Sequence, residues 1–379
     1  MSETFRDHRL KRKNLGIIIL IIITIILRLS LFNFKSGDYL YNLSPWVEII
    51  KTNGHFFSLK EAFSNYTPPY LYILVLLSYL PVPTLYSIKL VSIIFDYVIA
   101  FLVMLIVKEK YKNGFIPWLS FFTVLFTPTV ILNGAVWAQC DAIYVSGLIA
   151  MVFFLIKKKW GPALLCFSLA FAFKLQTIFL FPLLITFFLK EKKIRKYFIL
   201  IPLLYLLFIL PNYLLGRKFS DLLTIYWNFQ INEDYGLKRL TMNAANLYQW
   251  IPNRLVDIIL PLGLVFAFSF TLFFILFIYR RRYSLNKETV VKLSFLFALT
   301  LPFILPRMHE RYFFAADVTS IIYAFYFPRF YYVPVYVITA SLFAYLRYLF
   351  GININLSFLA LLLLLVIFAV LKDFSKKNY

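Results

Sequence analysis

Long apolar runs recur along the whole chain, and most of the short stretches between them are basic. A helix needs about 20 apolar residues to cross a hydrocarbon core ~30 Å thick. On that measure the pattern predicts spans at Leu15–Phe32, Ser87–Val107, Phe115–Asn133, Ala142–Ile156, Phe198–Leu215, Val256–Tyr279, Val290–Pro306, Tyr312–Phe327, Tyr332–Phe350 and Leu356–Leu371. The block Gly161–Leu189 lies between two basic runs, so it must leave and return, with its break at Phe173-Lys174-Leu175-Gln176. The expected fold is therefore all-α, a polytopic membrane bundle of about 12 transmembrane helices. Residues 1–379 form a single integral membrane domain with no internal repeat, linker or soluble domain.

Two longer polar intervals break the pattern, a first outer loop at 33–86 and a second at 216–255, polar around Asn228–Asn246. In the first, Leu40, Leu43, Val47 and Ile50 fall at helical spacing and predict a short amphipathic helix over Tyr39–Ile50, lying on the membrane surface. Ser58-Leu-Lys-Glu61 fits a capping box, and Thr67 before Pro68 is a second helix-start signal. The apolar piece Pro69–Leu80 would cover only ~18 Å as a helix before Pro81 and Pro83 end it. If it crossed, Lys108–Lys112 would fall on the opposite side from the other basic runs, so it is expected to be interfacial or re-entrant.

Composition agrees with membrane insertion. Hydrophobic residues are 62% and charged residues 15% of the chain, with mean hydropathy +0.80. The net charge of +22 does not point to nucleic acid, because the cations sit in short runs beside spans: Lys108–Lys112, Lys157–Lys159, Lys190–Lys196, Arg280–Arg282 and Lys376–Lys377. Such runs mark the cytoplasmic face and lipid headgroup contacts. Both termini are then expected in the cytoplasm, and Leu15–Phe32 reads as a retained first helix, since no small-residue cleavage pattern follows it. Two cysteines, Cys140 and Cys166, and three scattered histidines give no disulfide framework and no metal spacing.

With that topology, polar side chains distant in sequence converge on the outer ends of spans: Asp38, Gln139 with Asp141, Lys174 with Gln176, and Arg307, His309, Glu310 and Arg311. Ionisable groups in such places are costly and mark function. Each has a structural alternative. Asp38 and Asp141 could cap helices, and capping is the favoured reading of Asp141 taken alone. Lys174 could snorkel to the headgroups. Asp96, inside a span, reads as an interhelical partner, and Arg28 as a partner for a carboxylate or a lipid. Arg307-Met-His-Glu-Arg311 packs four ionisable residues into five positions between apolar spans and is hard to assign to packing.

A carboxylate beside several cations at one membrane face suits group transfer from a lipid phosphate. The cations would stabilise the charge that grows on the leaving phosphate, and the carboxylate would take the proton of an acceptor hydroxyl. No nucleophile–base dyad is visible, so a one-step displacement with inversion is expected.

Four places carry a resemblance: Gly37-Asp38-Tyr39 with Trp46-Val47-Glu48-Ile49; Asn65-Tyr66-Thr67-Pro68-Pro69-Tyr70; Trp137-Ala138-Gln139-Cys140-Asp141-Ala142-Ile143-Tyr144 with Phe173-Lys174-Leu175-Gln176; and Pro306-Arg307-Met308-His309-Glu310-Arg311-Tyr312. In these the chain resembles the GT-C class of polytopic glycosyltransferases. It is nearest to bacterial relatives of the GPI-anchor second mannosyltransferase, and is similar to the ER glucosyltransferases that use dolichyl-phosphate-glucose. The resemblance implies an inverting, metal-independent or weakly metal-dependent enzyme with a polyprenyl-phosphate-sugar donor, with Asp38 as base and His309 as a second catalytic residue. It implies substrate contacts from Arg307, Glu310, Arg311, Lys174, Gln176, Gln139, Asp141, Trp46 and Tyr66. It also implies that the double-proline helix does not cross. The family often has Trp-Gly-Gln where this chain has Trp137-Ala138-Gln139, a change expected to shift only local backbone. Metal-using relatives carry an acidic pair that is absent around Asp38, so no cofactor and no metal site is expected.

The implied activity is transfer of a hexose, mannose or glucose, to a glycan, lipid or polymer acceptor at the outer face of a bacterial cytoplasmic membrane. The rival from another class is a transporter or flippase of a lipid-linked glycan, which usually shows paired halves and broken helices near the midplane. A glycan ligase or polymerase should have a larger outer loop.

Overall fold

The computed structural model describes residues 2–112, 114–231, 238–281 and 283–375. Arg282, Lys376 and Lys377 of the basic runs, and 232–237 of the second polar loop, lie outside them. The described chain is helical, with only isolated bridges at Met242, Asn243 and His309. Its helices are α1 Ser2–Leu29, α2 Ser44–Thr52, α3 Pro68–Ser78, α4 Thr84–Lys108, α5 Ile116–Leu125, α6 Pro128–Ile131, α7 Asp141–Ile156 and α8 Trp160–Phe173. They continue as α9 Phe181–Lys190, α10 Leu200–Leu214, α11 Phe219–Leu223, α12 Val256–Arg280, α13 Lys287–Ile304, α14 Phe314–Tyr326, α15 Tyr332–Phe350 and α16 Leu356–Ser375.

Among the described residues, five helical stretches are long and apolar enough to cross a membrane: Thr84–Lys108, Lys192–Leu214, Asn253–Arg280, Pro328–Phe350 and Leu356–Ser375. A sixth is Ile116–Leu125 with Pro128–Val136, taken as one span bent by 49°. The bend follows from Pro128, which pushes the preceding Thr127 into extended backbone (ψ 123) and restarts the helix at a new angle. The other apolar helices are shorter. α3, at 11 residues, reaches only about 16 Å. The Gly161–Leu189 block breaks where expected, with Lys174 in extended backbone between α8 and a 3₁₀ turn at Leu175–Leu180.

Burial separates centre from rim. Every residue from Val290 to Ile304 in α13 is buried, so this helix spends its apolar surface on protein. α12 instead exposes Ile258, Leu262, Val265, Phe268 and Phe273, the surface a lipid-facing helix presents. α7 packs on α8 through Gly147, where an added Cβ would sit 2.8 Å from Ala170 Cβ and 3.0 Å from the Cys166 carbonyl. Gly147→Ala is therefore expected to push the two helices apart and cost about 1–3 kcal/mol. A fall in the thermal unfolding midpoint of the detergent-purified protein would register it, and an unchanged midpoint would refute the tight contact.

The bundle has two chemically different poles. At one, the basic loops are tied together: Lys157 and Lys287 both pair with Glu109, at 2.9 and 2.7 Å. Lys110 donates to the Tyr326 carbonyl and Lys190 to that of Tyr283, while Asp373 takes Lys292 and Arg329. At the other pole the first polar loop, the start of α7 and the ends of α13 and α15 meet.

One local expectation for the first loop needs correction. Ser58 does not start a helix. Gly54, at φ +80, begins a 3₁₀ turn over His55–Lys60, and Ser58 bonds back to the His55 carbonyl within it. The Tyr39–Ile50 helix is present but opens with a π turn at Tyr39–Leu43 before α2. Thr67 does precede the next helix, but its hydroxyl bonds the Phe173 carbonyl (3.0 Å) instead of capping.

Candidate functional site: a carboxylate held between four elements

The end of α1 fixes where the first loop begins. Lys89 of α4 donates to the Leu31, Phe32 and Phe34 carbonyls at 3.1, 2.9 and 2.7 Å, satisfying backbone acceptors left over as the helix ends. Below it Arg28 pairs with Asp96 at 3.2 Å and also donates to the Leu125 carbonyl. Asp96, read as an interhelical partner, and Arg28, read as a partner for a carboxylate or a lipid, thus partner each other. From this anchor Ser36 bonds the Trp137 carbonyl (2.7 Å), and Ser92 bonds that of Gln139 (2.6 Å). The first loop and the α6–α7 connection are locked in register just where Asp38 meets Trp137 and Gln139.

Asp38 makes no helix cap. Its Oδ2 accepts from Trp137 Nε1 at 2.8 Å and from the Gln139 amide, and its Oδ1 accepts from the Tyr348 hydroxyl at 2.7 Å. Arg311 Nη1 stands 3.6 Å from Oδ2, over the Trp137 ring at 5.6 Å. Tyr348 stacks on Trp137, with centroids 4.8 Å apart. Burial alone would raise the Asp38 pKa. The Arg311 charge, the bonds from Tyr348 and Trp137, and the charge of His309 outweigh it and hold the carboxyl below its ordinary value. The side chain keeps 17% of its surface exposed, so the charged oxygen is reachable.

Arg311 also lies 3.6 Å from Glu310, whose carboxylate is fully buried and has no hydrogen-bond partner. Burial pushes the Glu310 pKa up, against the pull of His309 and Arg311. The second polar loop holds this segment in place: the Met242 amide bonds the Met308 carbonyl (2.9 Å) and the Arg307 amide that of Leu240 (2.7 Å). Asn246 and Tyr248 reach the Leu305 and Ile304 carbonyls. Arg307 itself adopts φ +59, a left-handed conformation that turns the chain there.

A second ion pair lies beside the first group. Lys174 salt-bridges Asp141 with both side chains buried, and Asn133 adds a 2.9 Å bond to the same carboxylate. The capping reading of Asp141 is therefore overturned, as is snorkelling for Lys174: the break in the α8–α9 hairpin brings the ammonium inward to the carboxylate. Lys174 lies over the Tyr66 ring at 5.5 Å. Tyr66 donates to Gln139 at 3.4 Å and meets Trp46 edge-on at 5.3 Å. Burial raises the Tyr66 pKa, which leaves its phenol a donor at neutral pH.

Asp38, Gln139, Glu310 and Arg311 thus form one connected group, His309 adds its charge to it, and Tyr66, Trp46, Asp141 and Lys174 continue it. Gln176 is buried on the 3₁₀ turn two positions past Lys174, with Oε1 unpartnered. Ala138 takes φ +65, a conformation that favours glycine, so the backbone keeps this turn despite the side chain. Sequence reasoning missed Tyr348, Asn133 and the Asp38 contact of Trp137. The last lay within a motif; Tyr348 sits in the expected span Tyr332–Phe350, where it gave no signal.

The arrangement can hold an anionic leaving group near the Arg311 side and take a proton at Asp38. Neither protein-family models nor curated proteins match this chain.

Proposed function

We propose that the protein is a membrane glycosyltransferase of GT-C type that moves a hexose from a polyprenyl-phosphate donor to an acceptor hydroxyl, with inversion. What supports it above all is one contact set: an ionised, partly exposed carboxylate fixed by three hydrogen bonds, with a guanidinium 3.6 Å away. Oδ1 accepts the Tyr348 hydroxyl, and a carboxylate oxygen has a second lone pair with which to accept an incoming hydroxyl. The acceptor oxygen attacks the sugar's anomeric carbon and loses its proton to Asp38. The carbon–oxygen bond to phosphate breaks, and its electron pair leaves on the polyprenyl phosphate, whose charge Arg311 offsets. His309 and Arg307 lie on the same segment as Arg311.

The site belongs to the non-cytoplasmic face of a bundle with about 12 crossings and cytoplasmic termini. The collection of basic loops at the opposite pole supports that orientation. A bacterial cytoplasmic membrane, mannose or glucose as the sugar, and a glycan, lipid or polymer acceptor complete the proposal.

Incubating the pure protein with short polyprenyl-phosphate hexoses and following products by mass spectrometry tests it. A glycosylated acceptor with released polyprenyl phosphate is expected, whereas vectorial lipid movement without bond formation would favour transport. Arg311→Ala should weaken donor binding about 10–100-fold, in line with loss of a charge-assisted contact. Unchanged donor affinity in a titration would remove Arg311 from the phosphate.

A further inference from the structure

Arg217 stands apart from the other buried cations. It is only 4% exposed, yet Nε, Nη1 and Nη2 all lack a hydrogen-bond partner among the described residues. Arg28, equally buried, bonds a carboxylate and two carbonyls, and Arg311 is flanked by two carboxylates. A guanidinium withdrawn from water without partners is costly to keep, and the usual remedy is an anion with oxygens spaced for its planar fork.

Its place is fixed from below. Gly216, at φ +105, turns the chain after α10, and the Arg217 amide bonds the Asn212 carbonyl at 3.1 Å. Asn212 in turn donates to Leu59 of the first loop and accepts from Tyr72 at 2.8 Å. Leu215 packs against the cluster that contains Tyr39 and Trp46, which puts Arg217 at the same pole as Asp38. Among the described residues, the acidic group that acts on it is Asp221, whose carboxylate takes the Ser220 hydroxyl at 3.2 Å and makes no bond to the guanidinium.

The surroundings say which anion. Tyr213, Leu214, Phe219 and Trp227 are all exposed around this turn, with Tyr213 and Phe219 in edge-to-face contact at 5.6 Å. Exposed aromatics beside an apolar helix end mark the headgroup level of a bilayer, where phosphate is the abundant anion. We propose that Arg217 is a binding site for the phosphate of a membrane lipid. It rests on the glycosyltransferase proposal only in making the polyprenyl phosphate of the donor its first candidate; a phospholipid headgroup offers the same chemistry.

The test measures binding of a short polyprenyl phosphate and, separately, of phosphatidylglycerol to the purified full chain by native mass spectrometry. Arg217→Gln should lower affinity for one of them about tenfold, a change of the size expected for one charge-assisted contact, and Arg217→Lys should lose less. A loss confined to polyprenyl phosphate assigns the donor, and a loss confined to phosphatidylglycerol assigns a bound phospholipid. Should Arg217→Gln not fold, Asp221→Asn decides: removing the opposing charge should tighten phosphate binding several-fold, and unchanged or weaker binding overturns the site. Wild-type protein that binds neither lipid, or equal binding by wild type and Arg217→Gln, also overturns it. Equal binding alongside intact sugar transfer would sink this site and leave the proposed activity standing.

Discussion

Asp38→Asn will reduce sugar transfer by roughly 10²–10⁴-fold, the range for loss of a positioned base, while the protein still folds. Asn keeps the shape and can still accept from Trp137 and Gln139 through one oxygen. Its amide would then face Tyr348, whose hydroxyl can rotate to accept. What it cannot do is take a proton or balance Arg311 at 3.6 Å. Transfer rates of the two proteins in the same polyprenyl-phosphate assay, with thermal midpoints as the folding control, check it; activity close to wild type would dispose of Asp38 as base.

The pH dependence gives a second reading of the same residue. The folded-state pKa of Asp38 is held below the ordinary aspartate value, so the ionised form is the one the fold favours. Its stabilising effect is therefore present above the unfolded pKa and is lost as pH falls through the lower folded value. Transfer should accordingly persist through mildly acidic pH, with the acid limb displaced below the ordinary aspartate range. Asp38→Asn should lose that contribution to acid unfolding.

Asp141→Ala is expected to be the most destabilising substitution at the site. Lys174 and Asp141 retain only 4% and 1% of their side-chain surface, so deleting the carboxylate strands an ammonium away from water. Removing one partner of such a pair costs about 3–5 kcal/mol, whereas replacing both by apolar groups can be nearly neutral. The double variant Asp141→Leu with Lys174→Met should thus recover much of the yield and thermal midpoint lost in the single variant. Sugar transfer should stay low in both, because the pair supports Tyr66 and Gln139 beside Asp38. A single variant as stable as wild type would show that the pair does not hold the hairpin break.

The sequence by itself determined the helical class, the position of most apolar helices and the division into basic and aromatic–acidic poles. These are local properties: apolar run length, proline placement and charge placement act over one or two turns. It also marked where the α8–α9 hairpin breaks, because Lys174 and Gln176 interrupt an otherwise apolar block. The candidate site was legible as a set of ionisable residues at helix ends, since burying charge near lipid is too costly to be incidental.

Only the tertiary structure decided who pairs with whom. Asp141 read as a cap because Asp before a helix usually is one; the return of the chain at Lys174 supplied a stronger partner 33 positions away. Tyr348 lies 310 positions from Asp38, in a helix whose aromatic residues look alike from sequence, and only bundle packing turns this one toward the carboxylate. Partner choice among distant polar groups depends on which helix faces meet, and helix-facing is a property of the whole bundle, not of any segment.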